Sequence, residues 1–234
     1  MKHYILAATA ITLIGCSTTS PTQVDSSSSR DVTSYTFGYE AGNGVGDGLN
    51  SQRLDRALFL LGVQDALHDR PPRHNLNEEE VAQALEEHAE WAAMVTEEET
   101  RIASERNTAE GARFRDEYAR REGVQWLDDD ILYSVLVNGN GDQQPNSSDT
   151  VEVHYEGRLP DGTVFDSSIE RGTPVAADLT KVIAGWQKVI SHMKEGDVWE
   201  VVLPPSQAYG ANGRAPAVGP NQTLIFKIEL ISII

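Results

Sequence analysis

The chain has 234 residues, 39% of them hydrophobic, and a formal net charge of -17. That length allows two modest domains plus a tail. The acidity, with no basic stripe to meet phosphates, argues against a nucleic-acid binder, and a single cysteine excludes an internal disulfide.

The first residues, Met1-Lys2-His3-Tyr4, precede a short apolar run and then small residues, the pattern of a secretion signal. The run is too short and wrongly flanked for a spanning helix. Leu13-Ile14-Gly15-Cys16 resembles the bacterial lipobox, which implies Cys16 as the lipidated first residue of the mature chain. Ser17 stands where an Asp would suggest inner-membrane retention, so the expected location is the outer membrane, facing the periplasm. Several acyl chains would give a stable membrane anchor. Residues 17–34, rich in Ser and Thr, are expected to be a flexible tether.

Residues 35–125 have helical composition. A first segment begins at Tyr35, and Gly44, Gly46 and Gly48 weaken its end by about 1 kcal/mol each. These small residues would let two helices approach closely. Leu54 to Leu67 is a second amphipathic segment, ended by Pro71-Pro72. Asn77 is placed to cap a third helix that opens on Glu78-Glu79-Glu80, acids at the favourable end of the dipole. With no proline, that helix could reach Glu122, roughly 70 Å at 1.5 Å per residue. Such a length needs a stalk or a partner chain.

Residues 126–234 turn to strand patterns. Asp128-Asp129-Asp130 reads as solvated acids at a helix-to-strand junction, and Asn138 to Asp142 as a hairpin turn. Val151, Val153 and Tyr155 alternate with polar residues, the period of a half-buried strand. Asp161-Gly162 offers a tight turn. Trp199, Val201 and Leu203 form another strand, stopped by Pro204-Pro205, and Leu224, Phe226, Ile228 and Leu230 form the last. Ile183, Trp186, Ile190 and Met193 recur at helical spacing, with Gly196 as the stop. The fold class is therefore α+β: a mostly antiparallel sheet against one short helix, preceded by an all-α region. Tyr155, Phe165, Trp186, Tyr209 and Phe226 gather in this part of a chain with only 7% aromatic residues.

Five pieces in order carry a resemblance: Val153-His154-Tyr155-x-Gly157, Asp161-Gly162-x-x-Phe165-Asp166-Ser167-Ser168, Val182-Ile183-x-Gly185-Trp186, Ala208-Tyr209-Gly210-x-x-Gly213 and Pro220-Asn221-x-Thr223-Leu224-x-Phe226. Together they resemble the FKBP-type peptidyl-prolyl cis-trans isomerases, whose fold is a curved antiparallel sheet around a short helix. The resemblance implies Trp186 as the floor of an apolar pocket, with Tyr155, Phe165, Val182, Ile183, Val218 and Phe226 binding substrate around it. It implies that the Ile183 N–H and the Tyr209 hydroxyl bond substrate carbonyls, and that Asp166 sits at the rim near the twisting amide. No metal or cofactor is implied. Macrolide inhibitors of the FK506 and rapamycin type are implied ligands. Where relatives place an aromatic this chain has Ala177, and Ala217 and Val218 stand where bulkier residues are common. Weaker binding is expected, at roughly 0.8 kcal/mol per lost methylene.

Upstream, Tyr35-x-Phe37-Gly38-Tyr39-x-x-Gly42, Phe59-x-x-Gly62-x-x-Asp65-Ala66-Leu67 and Asn107-x-Ala109-Glu110-Gly111-x-x-Phe114 resemble the helical domain of the Mip and FkpA subfamily. This implies a homodimer formed by intertwined first helices, acting on proline-containing unfolded exported proteins. The alternative is a non-enzymatic periplasmic chaperone that uses the dimer cleft.

Overall fold

The computed structural model describes Val24, residues 29–128 and residues 130–234. The predicted signal, Cys16 and most of the predicted tether lie outside the described residues. The chain divides into two compact units, Met1–Ala89 and Glu90–Ile234, with the boundary inside the longest helix.

In the first unit, α1 spans Ser29–Ser51, so helix begins six residues inside the predicted tether. It does so because the hydroxyls there are satisfied within the helix: Ser34 donates to the Arg30 carbonyl at 2.8 Å and Thr36 to the Val32 carbonyl at 2.7 Å. The helix also continues through the three glycines that were expected to weaken its end. Among the described residues nothing outside the helix backbone lies within 4 Å of a Cβ built on any of them, so no described segment makes the close helix approach expected there. Asp55 caps α2, Arg56–Leu67, accepting from the amides of Ala57 and Leu58. Asp65 is buried and paired with Arg73 Nε at 2.5 Å and Arg70 Nη1 at 3.4 Å. The Arg73 hydrogen bond holds its carboxyl below the ordinary value.

Helix α3 spans Glu78–Tyr118. Its start is a capping box in which the Glu80 amide donates to Asn77 Oδ1 at 2.9 Å and the Asn77 amide to Glu80 Oε2 at 2.8 Å. It stops four residues short of the predicted Glu122. The chain turns there through Gly123, at φ +78°, into a strand that the sequence did not announce.

In the second unit, seven strands among the described residues form one antiparallel sheet: β1 Val124–Leu127, β2 Ile131–Val137, β3 Thr150–Arg158, β4 Val164–Ser167, β5 Val175–Asp178, β6 Val198–Leu203 and β7 Leu224–Ile233. Their order is β1-β2-β6-β7-β3-β4, and β5 pairs with the first half of β3. Two short helices intervene, α4 at Ser168–Arg171 and α5 at Ala184–Ile190. Since β2 and β3 are not neighbours, Asn138–Asp142 is no hairpin turn. The segment folds onto the turn before β6, where the Gly139 amide donates to Asp197 Oδ1 at 2.7 Å and the Gly141 amide to the Glu195 carbonyl at 3.2 Å. Helix α5 ends earlier than predicted. Gly196, at φ +87°, turns the chain into β6 rather than stopping the helix.

Both faces of the sheet are covered. On the inner face Val151, Val153, Val201, Ile228 and Leu230 pack against Trp186, Val189, Ile190 and Met193, forming the main core. On the outer face Leu132, Val202 and Ile225 pack beneath Tyr118, with Phe114 beside it. This explains why Val202, which simple alternation would expose, is fully buried. The last part of α3 docks there through residues spaced three and four apart. Ser104 accepts from Asn221 at 2.7 Å, Asn107 donates to the Pro220 carbonyl at 2.8 Å, and Arg115 donates to Thr223 at 2.5 Å. At Gly111 a Cβ would stand 2.3 Å from Thr223 Oγ1, so only glycine fits. The Tyr118 hydroxyl donates to Glu200 Oε1 at 3.0 Å, and Glu200 Oε2 accepts from Arg158 at 2.6 Å. Of the Asp triplet, Asp128 pairs with Lys188 of α5 at 3.0 Å and Asp130 accepts from Gln207 at 2.8 Å; Asp129 lies outside the described residues.

Candidate functional site

A cavity of about 520 Å³ opens on the inner face of the sheet, between the start of α5, the loop after β6 and strands β3, β4 and β5. Trp186, 7% exposed, meets Tyr155 edge-on at 5.0 Å and Phe226 at 5.4 Å between ring centroids. Phe165 meets Phe226 edge-on at 5.7 Å. Two aromatics packed at right angles on one indole, with Phe165 behind one of them, leave its surroundings apolar and rigid. Gly157 makes the arrangement possible: a Cβ there would sit 2.6 Å from Phe165 Cζ and 2.9 Å from Phe226 Cε1. Gly185 does the same for the helix, since a Cβ would stand 2.6 Å from Leu203.

Of the residues expected from sequence, Tyr155, Phe165, Asp166, Val182, Ile183, Trp186, Tyr209 and Phe226 all line this cavity. Val218 does not. It is 3% exposed and belongs to the main core, and its amide and carbonyl are bonded to Arg214 across a tight loop. Its neighbour in the lining is Arg214 itself. Ile183 is the N-cap of α5, and its carbonyl accepts from the Trp186 amide at 3.0 Å.

Asp166 is a polar group of the rim held from two sides. Its Oδ2 accepts from the Tyr155 hydroxyl at 2.6 Å and its Oδ1 from Arg171 at 2.5 Å, and Arg171 also donates to the Tyr155 oxygen at 3.1 Å. Burial acts to raise the carboxyl pKa, but the bonds from Tyr155 and Arg171 outweigh it and hold the group below its ordinary value. Tyr155 moves up, first through burial and then because its proton is shared with Asp166. The two serines of the Phe-Asp-Ser-Ser motif fix this geometry. Ser167 caps α4 and Ser168 accepts from the Tyr155 amide at 2.8 Å, while His154 Nδ1 lies 3.0 Å from the same hydroxyl. His154 is thus used in holding β3 to α4.

Sequence reasoning missed Arg171, Lys181, Asp178 and Arg214. Arg171 comes into reach because α4 turns it back onto Asp166, five residues earlier. Lys181 pairs with Asp178 at 2.8 Å, and hydrogen bonds from Lys181 and Thr180 lower the Asp178 carboxyl to about 2. Ala177, where an aromatic was expected, lines the cavity beside Val175 and Ala176 and adds only a methyl group. The cavity is thus walled by aromatics on one side and by small aliphatic groups on the other.

The family model described as "FKBP-type peptidyl-prolyl cis-trans isomerase" matches residues 141–231, and that of the "Domain amino terminal to FKBP-type peptidyl-prolyl isomerase" matches residues 30–135. The chain is 34% identical over 233 residues to the peptidyl-prolyl cis-trans isomerase Mip of Coxiella burnetii, covering 100% of this chain and 99% of the relative. It is 34% identical over 210 residues to the outer membrane protein MIP of Legionella longbeachae, covering 87% and 89%. The crystal structure of FkpA from Escherichia coli superimposes with a TM-score of 0.65 at 32% identity, covering 88% of this chain and 97% of that one.

Proposed function

The chain belongs to the FKBP-type peptidyl-prolyl cis-trans isomerases of the Mip and FkpA kind, and we propose that its aromatic cavity accelerates X-Pro rotation in exported proteins by removing the amide from water. The observation that carries this mechanism is one cavity lined both by the apolar indole of Trp186 and by Asp166, with Tyr155 touching the indole and donating to the carboxylate that Arg171 also holds.

Rotation about an X-Pro bond breaks amide resonance and is slow in water. The planar amide is the more charge-separated state, so an apolar site disfavours it relative to the twisted transition state. The proline ring lies on Trp186 between Phe165, Phe226 and Tyr155. The Ile183 amide and the Tyr209 hydroxyl fix the flanking carbonyls, and the chemistry forms no covalent bond. Asp166, already held by Tyr155 and Arg171, is a fixed negative charge at the edge of the twisting amide. Ala177 leaves one wall thin, which lowers affinity for substrates and for macrolides of the FK506 type.

The test uses the chain from Ser17 and a Leu-Pro peptide. Acceleration is expected, falling on the order of 100-fold in an Asp166→Ala, Tyr209→Phe double variant. Acceleration by the double variant equal to the wild type would refute the site assignment. The Asp166 bonds also have a pH signature. A depressed folded pKa stabilises the protein above the unfolded value of 3.8 and the gain is lost as pH falls through the lower folded value. The stability difference between wild type and Asp166→Asn is therefore constant from about pH 6 to 8 and shrinks below about pH 4 in urea titrations.

The helical unit is read as a dimerisation module. Support comes from apolar residues left exposed on its helices: Phe37 at 75%, Leu58 at 67%, Leu67 at 79% and Met94 at 67%. So many large apolar side chains exposed on these three helices call for a partner surface. The chain from Ser17 is expected to sediment as a dimer, and Phe37→Asp with Leu58→Asp to sediment as a monomer; a monomeric wild type would sink this reading. The lipobox-like segment at Cys16, together with a relative named for the outer membrane, supports anchoring of this dimer to that membrane with the isomerase units in the periplasm.

A further inference from the structure

Residues 204–223 join β6 to β7 and carry Tyr209 into the cavity lining. Tyr209 stands just before a single helical turn, Gly210–Asn212, and the Gly210 carbonyl accepts from the Asn221 amide at 2.9 Å. The far end of the loop is in turn held by α3. Asn107, 3% exposed, donates its side-chain amide to the Pro220 carbonyl at 2.8 Å, and Asn221 donates its own to Ser104 at 2.7 Å. Asn221 has φ +50°, a left-handed backbone that asparagine adopts more readily than most residues. A Cβ on Gly219 would sit 2.9 Å from Asn107 Nδ2, so the loop backbone passes directly over that amide. Two hydrogen bonds, Asn107 to Pro220 and Asn221 to Gly210, thus link α3 to the residue beside Tyr209.

We propose that Ser104 and Asn107 are positioning residues for the isomerase: α3 clamps the loop so that the Tyr209 hydroxyl stays at the cavity. The inference rests on the isomerase reading, in which that hydroxyl bonds a substrate carbonyl. Packing alone asks for an apolar residue at a site as buried as that of Asn107. An amide there must find a partner, and the partner it finds is the loop backbone. So long a connection between two neighbouring strands loses much backbone entropy when it is fixed. With the clamp open that freedom returns. The fraction of molecules holding Tyr209 in place then falls, and kcat/KM falls in proportion.

The experiment uses the chain from Ser17, a Leu-Pro peptide, and amide exchange followed by NMR. Asn107→Asp keeps the shape but sets a carboxylate against the Pro220 carbonyl. Ser104→Ala removes only the hydroxyl that holds Asn221. Tyr118→Phe is the control, since it loosens α3 from the sheet without touching the loop. Asn107→Asp is expected to speed exchange of the Asn221 amide about tenfold, and to lower kcat/KM about fivefold, the worth of one neutral hydrogen bond. Ser104→Ala should change each by about twofold, and Tyr118→Phe should change neither. In a Tyr209→Phe background, Asn107→Asp should still speed exchange but cost no further activity, because its effect passes through the hydroxyl. Unchanged exchange at Asn221 in Asn107→Asp, or faster exchange with full activity, would overturn the clamp. So would an equal activity loss with and without the Tyr209 hydroxyl, the mark of general loosening. Should Asn107→Asp not fold, Ser104→Ala decides by the same readings. A wild type without acceleration strikes the isomerase reading instead, while exchange at Asn221 still reports whether α3 holds the loop.

Discussion

Replacing Trp186 with alanine is expected to lower unfolding free energy by about 3–5 kcal/mol and to return prolyl isomerisation to its uncatalysed rate. The side chain is 7% exposed and touches Tyr155 and Phe226 edge-on, so its loss opens a void beneath the cavity and frees two walls at once. The two effects separate in Trp186→Phe. That change keeps an apolar ring in the floor, so most of the stability should return with part of the activity. Urea unfolding followed by circular dichroism, beside peptide assays in the folded range, measures both. A Trp186→Ala protein that is folded and still accelerates isomerisation would show that the indole is only core.

The second large effect is expected far from the cavity. Tyr118 is 1% exposed, stacks on Phe114 with centroids 6.0 Å apart, and has Arg121 above its ring at 4.7 Å. Burial pushes its hydroxyl up to about 12, so it remains a donor to Glu200 at any working pH. Tyr118→Ala should cost about 3–5 kcal/mol and strip hydrogen-exchange protection from the last turns of α3. Tyr118→Phe removes only the hydroxyl, leaves Glu200 bonded to Arg158, and should cost about 1 kcal/mol. If Tyr118→Ala leaves the α3 amides protected, the polar contacts at Asn107 and Arg115 alone hold the helix to the sheet.

The contrast between these two sites shows where sequence is informative. Eight of the cavity residues were legible because they stand in five motifs, in order, that resemble a known family. The cap at Asn77 was legible from local chemistry, since its bonds join residues three apart. That cap is decided by neighbours along the chain.

Docking of α3 was not legible. Several of its contacts join residues more than 100 positions apart, as Asn107 does with Pro220 and Arg115 with Thr223. They also use polar side chains and a glycine, so the helix shows no apolar stripe to announce a buried face. The same holds for Arg214 and Arg171, whose meaning comes from the groups that folding sets beside them. Val218 was misplaced for a related cause: sequence order puts it in the loop over the cavity, but the bridge to Arg214 turns its side chain into the core. By itself, then, the sequence determined the family and the aromatic residues of its pocket, through motifs that resemble it, and the start of the long helix, because local geometry encodes that start. Only the tertiary structure decided what covers the outer face of the sheet and which charges guard the cavity, because those depend on distances between segments that the chain itself keeps far apart.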